Sequence, residues 1–217
     1  MASDGAAAPY PEGLRLIPGR LDRNACESIL AEIVEVIVEA PLYRPVMPKS
    51  GRPFSVEMTN CGSLGWMSDR DGYRYSARHP VTGRPWPRIP ASILSLWREL
   101  TDYPAEPEAC LVNYYEPGAR MGLHRDEDEA DFTAPILSIS LGDTAKFRIG
   151  GPERKGPTRS FPLASGDVLL LGGASRCFYH GIDRLLPGTS TLLSQCPPNF
   201  PQRGANQSKA RRVRPNF

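Results

Sequence analysis

Apolar positions recur at helical spacing twice in the first half of the chain and then give way to short runs. Ile29, Leu30, Ile33, Val34 and Ile37 fall three and four apart, so they share one face of a helix. Asn24, followed by Glu27, reads as its N-terminal cap, and Pro41 stops the run. The second stripe, Ile93, Leu94, Trp97 and Leu100, begins after Pro90 and is closed by Pro104. From Cys110 onward the segments Cys110 to Tyr115, Ile136 to Leu141, Lys146 to Ile149, Val168 to Leu171 and Thr191 to Ser194 read as strands separated by turn residues. Many short strands without crossover helices predict a mainly β (α+β) fold, a double-stranded β-helix or jelly roll, with both helices packed on one face. Between the helices, Phe54, Val56 and Met58 alternate, Gly62 and Gly65 permit tight turns, and Trp66, Tyr73 and Tyr75 add aromatic surface. That segment reads as a glycine-broken β lid.

Length and charge narrow the function without naming it. A chain of 217 residues supports one sizeable core, and a net charge of +2 demands no polyanionic partner. Lys49, Arg52, Arg70, Arg74, Arg78 and Arg84 lie around the lid, where they could track phosphates or simply be solvated. The five cysteines, Cys26, Cys61, Cys110, Cys177 and Cys196, are widely spaced and form no C-x-x-C pair, which predicts reduced thiols in a cytoplasmic protein. Glu32 and Glu35 interrupt the most apolar window, so no membrane span is expected, and Met1 to Gly13 shows no secretory signal.

Two of the three histidines stand where chemistry can use them. Residues two apart on an extended strand project to one face, so His124 and Asp126 can reach a single metal ion, with His180 as the third ligand. Two imidazoles and a carboxylate leave positions open for a chelating co-substrate and dioxygen, the arrangement of non-haem Fe(II) oxygenases. Alone, the His-x-Asp spacing also describes a surface histidine beside an acidic loop. The remaining histidine, His79, sits between Arg78 and Pro80 and is expected to be a solvated loop residue.

The surrounding motifs sharpen this. Asn113-Tyr114-Tyr115-Glu116-Pro117-Gly118-Ala119-Arg120, the His124-x-Asp126-x-Asp128 run, Ala134-Pro135-Ile136, Ser138-Ile139-Ser140-Leu141-Gly142 and Phe178-Tyr179-His180-Gly181 together resemble the AlkB nucleic-acid dealkylating dioxygenases. Met58-Thr59-Asn60-Cys61-Gly62, Leu64-Gly65-Trp66, Gly72-Tyr73 and Pro85-Trp86-Pro87 extend the likeness to bacterial members, so that it covers roughly residues 14–196.

The resemblance implies an Fe(II)/2-oxoglutarate-dependent dioxygenase that oxidises N-methyl groups on bases such as 1-methyladenine and 3-methylcytosine, releasing formaldehyde. It assigns Fe(II) to His124, Asp126 and His180, and oxoglutarate to Asn113 and Tyr115, which could otherwise be an ordinary satisfied pair in a β core. It makes the aromatic segment a nucleotide-recognition lid, with Trp66 against the base, Met58 and Tyr73 lining the pocket and Asp128 facing an exocyclic amine. Trp66 as a core indole and Asp128 as a solvated acid are the alternatives. The implied partner is methylated single-stranded DNA, with RNA or a flipped duplex base as alternatives, acted on by a monomer.

The family's last strand carries Arg-x-Asn-x-Thr-x-Arg, whose arginines hold the oxoglutarate carboxylates. Aligned on Cys196, Asn199 and Arg203 match that pattern, Pro197 replaces the first arginine and Pro201 the threonine. Prolines suit a central strand poorly. The expectation is therefore one dioxygenase domain over 1–203, with helices and lid in 14–104 and the catalytic β-helix in 105–203, followed by a basic disordered tail over 204–217. Weakened oxoglutarate contacts leave open a rival reading as a binding module without turnover, and the same chemistry on modified tRNA or methylated protein is a further alternative.

Overall fold

In a computed structural model of the chain, residues 10–195 and 205–211 are described, and within the latter segment the side chains of Ser208 and Lys209. The elements are β1 (Leu14–Ile17), α1 (Arg23–Glu39), β2 (Glu57–Gly62), β3 (Gly65–Asp69), β4 (Gly72–Ser76), α2 (Ala91–Leu100), β5 (Ala109–Tyr115), β6 (Met121–His124), β7 (Ile136–Gly142), β8 (Thr144–Ile149), β9 (Arg159–Leu163), β10 (Val168–Leu171), β11 (His180–Leu186) and β12 (Ala205–Arg211). One sheet runs in the order β1-β10-β7-β12-β5-β2, a second β6-β11-β8-β9, and β3 with β4 forms a separate hairpin. The pairings within these sheets are antiparallel. This is the double-stranded β-helix expected from the short runs.

Strand β5 shows how one sequence serves two cores. Cys110, Val112 and Tyr114 pack with Ile29, Ile33, Ile93 and Trp97 on the helix side of the larger sheet. Leu111 and Tyr115 alternate to the other face and pack with Phe147, Ile149, Phe161 and Ile182 between the sheets. Burial on both faces explains why the run is nearly continuous in apolar and aromatic residues rather than alternating with charge.

Several expectations are corrected. The cap of α1 is Asp22, not Asn24: its Oδ1 accepts from the Ala25 amide at 2.8 Å. Any of these short polar residues can cap, so the sequence placed the helix but not its first residue. Thr191 to Ser194 is no strand, because Leu192–Gln195 is a turn of 3-10 helix. His79 is not solvated: it is 1% exposed, donates from Nε2 to the Pro41 carbonyl at 2.8 Å, and accepts at Nδ1 from the Val81 and Thr82 amides. Its ring packs against Tyr43 and Trp86.

The largest correction concerns the C-terminal segment. Residues 205–211 are not a disordered tail but the central strand β12, hydrogen-bonded to β5 on one side and β7 on the other. Asn199 and Arg203, with Pro197 and Pro201, lie outside the described residues.

Candidate metal centre

His124 ends β6 and His180 begins β11, and the two are register partners across that antiparallel pair. Close approach is built into the backbone: a Cβ on Gly181 would come within 2.5 Å of the Met121 carbonyl oxygen and 2.9 Å of that of Gly122. Asp126 lies beyond the end of β6, in a loop rather than on the strand, so strand alternation is not what aims it. The loop is held by Arg176, a buried guanidinium that donates from Nη1 to the Asp126 carbonyl and from Nε to the Ala134 carbonyl, both at 2.9 Å. The same guanidinium pairs with buried Glu129.

One ligand atom from each of His124, Asp126 and His180 lies within 4.8 Å of the others. Asp126 Oδ1 is 3.6 Å from His124 Nε2, and Oδ2 is 3.4 Å from His180 Nε2. Each imidazole is oriented by its far nitrogen: His124 Nδ1 donates to the Gly122 carbonyl at 2.9 Å and His180 Nδ1 to the Phe178 carbonyl at 3.0 Å. A carbonyl can only accept, so both Nε2 lone pairs face the cluster, the tautomer a metal requires. Burial, with His180 alongside, pushes His124 down to about 3, and burial with the Lys209 ammonium nearby lowers His180. Both rings are therefore neutral near pH 7, and His180 Nε2 accepts from the Lys209 ammonium at 3.2 Å.

Two neutral imidazoles and a carboxylate suit Fe(II). The adjoining strand suits a polar co-substrate. Asn113 and Tyr115 are buried on β5, and the Asn113 side-chain oxygen has no hydrogen-bond partner among the described residues. Such an orphan costs about 1–3 kcal/mol, a deficit that a polar ligand in the pocket would relieve. Burial, with Asp126 close by, raises the Tyr115 phenol well above its ordinary range, so it stays a hydrogen-bond donor.

The lid residues gather on the other side of the metal loop. Trp66 on β3 stacks on Tyr73 of β4, with ring centroids 5.6 Å apart and planes 20° from parallel. Its indole Nε1 donates to Asp128 Oδ2 at 2.8 Å, and the Tyr75 hydroxyl donates to Glu129 Oε1 at 2.7 Å. Met58 is buried in the inter-sheet core, and Trp66 and Phe54 pack on that core. Among the lid arginines, Arg74 pairs with Asp69 within the hairpin and Arg78 donates to the Gly83 carbonyl. Sequence reasoning missed Arg176, Glu129 and Lys209, whose partners are supplied by distant elements and leave no local pattern.

The chain matches the model of the 2OG-Fe(II) oxygenase superfamily over residues 13–216. It is 54% identical over 183 residues to the alpha-ketoglutarate-dependent dioxygenase AlkB homolog of Caulobacter vibrioides, covering 83% of this chain and 82% of that protein. It is 42% identical to the alpha-ketoglutarate-dependent dioxygenase AlkB of Escherichia coli, covering 94% and 97%. The solved structure of OsALKBH1 superposes with a TM-score of 0.77 at 27% identity, covering 92% of this chain and 96% of that one. With its jelly roll and its His-Asp-His cluster, the chain belongs to the AlkB family of Fe(II)- and 2-oxoglutarate-dependent dioxygenases.

Proposed function

We propose that this dioxygenase demethylates N-alkylated bases, such as 1-methyladenine and 3-methylcytosine, in single-stranded DNA or in a base flipped from a duplex. The observation that carries this reading is the pair of hydrogen bonds, Trp66 to Asp128 and Tyr75 to Glu129, that ties the aromatic hairpin to the loop bearing Asp126. An aromatic clamp joined directly to a metal loop suits a flat substrate whose methyl group must lie close to the ion.

In this reading His124, Asp126 and His180 hold Fe(II), while Asn113 and Tyr115 hydrogen-bond 2-oxoglutarate. When bound, the iron and its co-substrate would supply the oxidation of the methyl carbon with dioxygen as the oxidant, giving succinate, carbon dioxide and formaldehyde. The side chains do the rest. Trp66 and Tyr73 cover the base and exclude water, Met58 closes the pocket floor, and the Asp128 carboxylate accepts from the exocyclic amine. Methylation at these ring nitrogens makes the base cationic, and an adjacent carboxylate favours that charge. The remaining roles set for Asn199 and Arg203 fall outside the described residues. We also read the protein as a monomer serving DNA repair in the cytoplasm, in keeping with the free thiols of Cys26, Cys61, Cys110 and Cys177.

The test is a substrate panel. DNA and RNA oligonucleotides carrying either lesion, and a methylated peptide, are incubated with protein, Fe(II), ascorbate and 2-oxoglutarate, and nucleosides and formaldehyde are quantified. Base restoration in DNA is expected. Restoration confined to RNA, or oxidation of the peptide alone, would contradict the substrate assignment.

A further inference from the structure

We propose that Asn60 is a positioning residue that fixes the indole of Trp66 before any substrate arrives, so that the aromatic clamp is built in advance. This rests on the reading of Trp66 as the residue that covers the base. Asn60 lies on β2, the edge strand of the larger sheet, and is fully buried. Its side-chain amide reaches β3 through two hydrogen bonds: Oδ1 accepts from the Trp66 amide N–H and Nδ2 donates to the Trp66 carbonyl, both at 3.0 Å. That pattern sets the orientation of the amide, because the opposite one would face donor to donor and acceptor to acceptor.

The hairpin needs such a tie. Strands β3 and β4 form a two-stranded sheet of their own, and a lone hairpin is marginal unless something larger supports it. Along β3, Ser68 is bonded to Val46 in both directions: its hydroxyl donates to the Val46 carbonyl at 2.7 Å and its carbonyl accepts from the Val46 amide at 3.2 Å. At Trp66 the partner is instead a side chain, Asn60, standing where the backbone of a neighbouring strand would. Gly65 makes room for it: a Cβ there would come within 2.7 Å of the Asn60 Cβ and 2.4 Å of Trp86 Cε2. The Tyr43 hydroxyl, whose burial raises it well above its ordinary range and keeps it a donor, adds a longer bond to the Trp66 carbonyl at 3.4 Å.

The indole is thus held at both ends. Asn60 fixes the backbone from which it projects, and Asp128 Oδ2 accepts from its Nε1 at 2.8 Å. The two holds differ once substrate binds, because the exocyclic amine of the base competes for the Asp128 carboxylate and leaves the Asn60 bonds untouched. A ring that is fixed beforehand loses less conformational freedom when a base stacks on it, so more of the contact appears as affinity. Without Asn60, the Trp66 N–H and C=O would lose a buried partner, and that segment of β3 would turn to find others.

The experiment is a double-mutant cycle on wild type, Asn60→Ala, Trp66→Ala and the double variant, with Asn60→Asp alongside. Anisotropy of a labelled single-stranded DNA oligonucleotide, carrying 1-methyladenine or plain adenine at one position, is read on the anaerobic protein loaded with Mn(II) and 2-oxoglutarate. Thermal unfolding checks the fold and Mn(II) calorimetry the metal site. Asn60→Ala should bind the methylated oligonucleotide about fivefold or more weakly, and should cost no more than about twofold beyond Trp66→Ala in the double variant. Its Mn(II) affinity and its binding of the adenine oligonucleotide should stay at the wild-type level. Asn60→Asp, which keeps the acceptor for the Trp66 N–H and loses the donor to its carbonyl, should fall between. Additive losses, an equal loss on both oligonucleotides or weakened Mn(II) binding would make Asn60 a general support of the fold and overturns the proposal, as does unchanged affinity in a folded Asn60→Ala. If neither Asn60 variant folds, wild type decides by hydrogen exchange: a Trp66 amide as slow in the free protein as in the complex supports advance positioning, and one that slows only on binding overturns it. A Trp66→Ala protein that binds the methylated oligonucleotide normally would instead overturn the stacking reading, a failure separate from that of Asn60.

Discussion

At the scale of single residues, each member of the cluster is held by a second partner. His124 and His180 are oriented by the Gly122 and Phe178 carbonyls, and Asp126 is held through its own backbone by Arg176. Replacing His124, Asp126 or His180 by Ala should abolish turnover and Mn(II) binding while leaving the circular dichroism spectrum native, because a three-ligand site has no spare donor. Metal binding at wild-type affinity in all three variants would contradict the assignment. The imidazoles also set a pH dependence. Their folded values lie below the ordinary 6.5 of an unfolded histidine, so the unfolded chain binds more protons below that pH. Their contribution to stability is complete above about pH 6.5 and is lost as pH falls toward the folded value of about 3 for His124. Chemical denaturation of the metal-free protein should therefore show a smaller stability gap between pH 7.5 and pH 5 in His124→Gln than in wild type. The His124, Asp126 and His180 cluster was legible in the sequence because its residue types and order carry the chemistry, whereas a role for Asn113 and Tyr115 came only with the family resemblance. Arg176 and Lys209 were not, since a basic residue in sequence looks solvated until its fold partners are known, and His79 was misread for the same reason.

Elements place those residues. Strands β6 and β11 bring His124 opposite His180, and Gly181 allows them to approach because any Cβ there would strike backbone oxygens. Gly181→Ala should force the strands apart, lowering stability by about 1–3 kcal/mol, the usual range for overpacking. It should also weaken Mn(II) binding, while an unchanged affinity would show that the strand spacing does not set the site. The hairpin of β3 and β4 supplies the aromatic clamp, and Trp66→Ala should cost about 1–3 kcal/mol in binding a methylated oligonucleotide, the loss typical of one stacking aromatic. Equal affinity by fluorescence anisotropy would make Trp66 a packing residue. Helices were legible as elements because their stripes run over several turns. The four-residue strands β1 and β6 were not, because neither forms a continuous apolar run like that of β10. The placement of Asp126 beyond β6 escaped detection because spacing alone cannot tell a strand from the loop that leaves it.

For the whole molecule, the decisive feature is that the larger sheet closes with the last described strand. Strand β12 lies between β5 and β7, so the half of the sheet bearing β5 and β2 joins the rest only through it. A chain ending at residue 204 would leave both neighbours with unpaired edges in a buried sheet, and should be insoluble or lack a cooperative thermal transition; a truncated protein with native melting would contradict the register. The sequence obscured this strand, because Ala205-Asn206-Gln207-Ser208-Lys209-Ala210-Arg211 is mostly polar, has no large apolar side chain, and so shows no hydrophobic face. One side chain of this central strand, Lys209, lies against the His-Asp-His cluster, 3.2 Å from His180 Nε2 and 3.7 Å from Asp126 Oδ2. The account as a whole stands on stoichiometry. In a single reaction with Fe(II), 2-oxoglutarate and a 1-methyladenine DNA oligonucleotide, mass spectrometry should find one succinate and one formaldehyde for each adenine restored, and none of the three with His180→Ala. Tight oligonucleotide binding without succinate, or succinate without restored adenine, would contradict it.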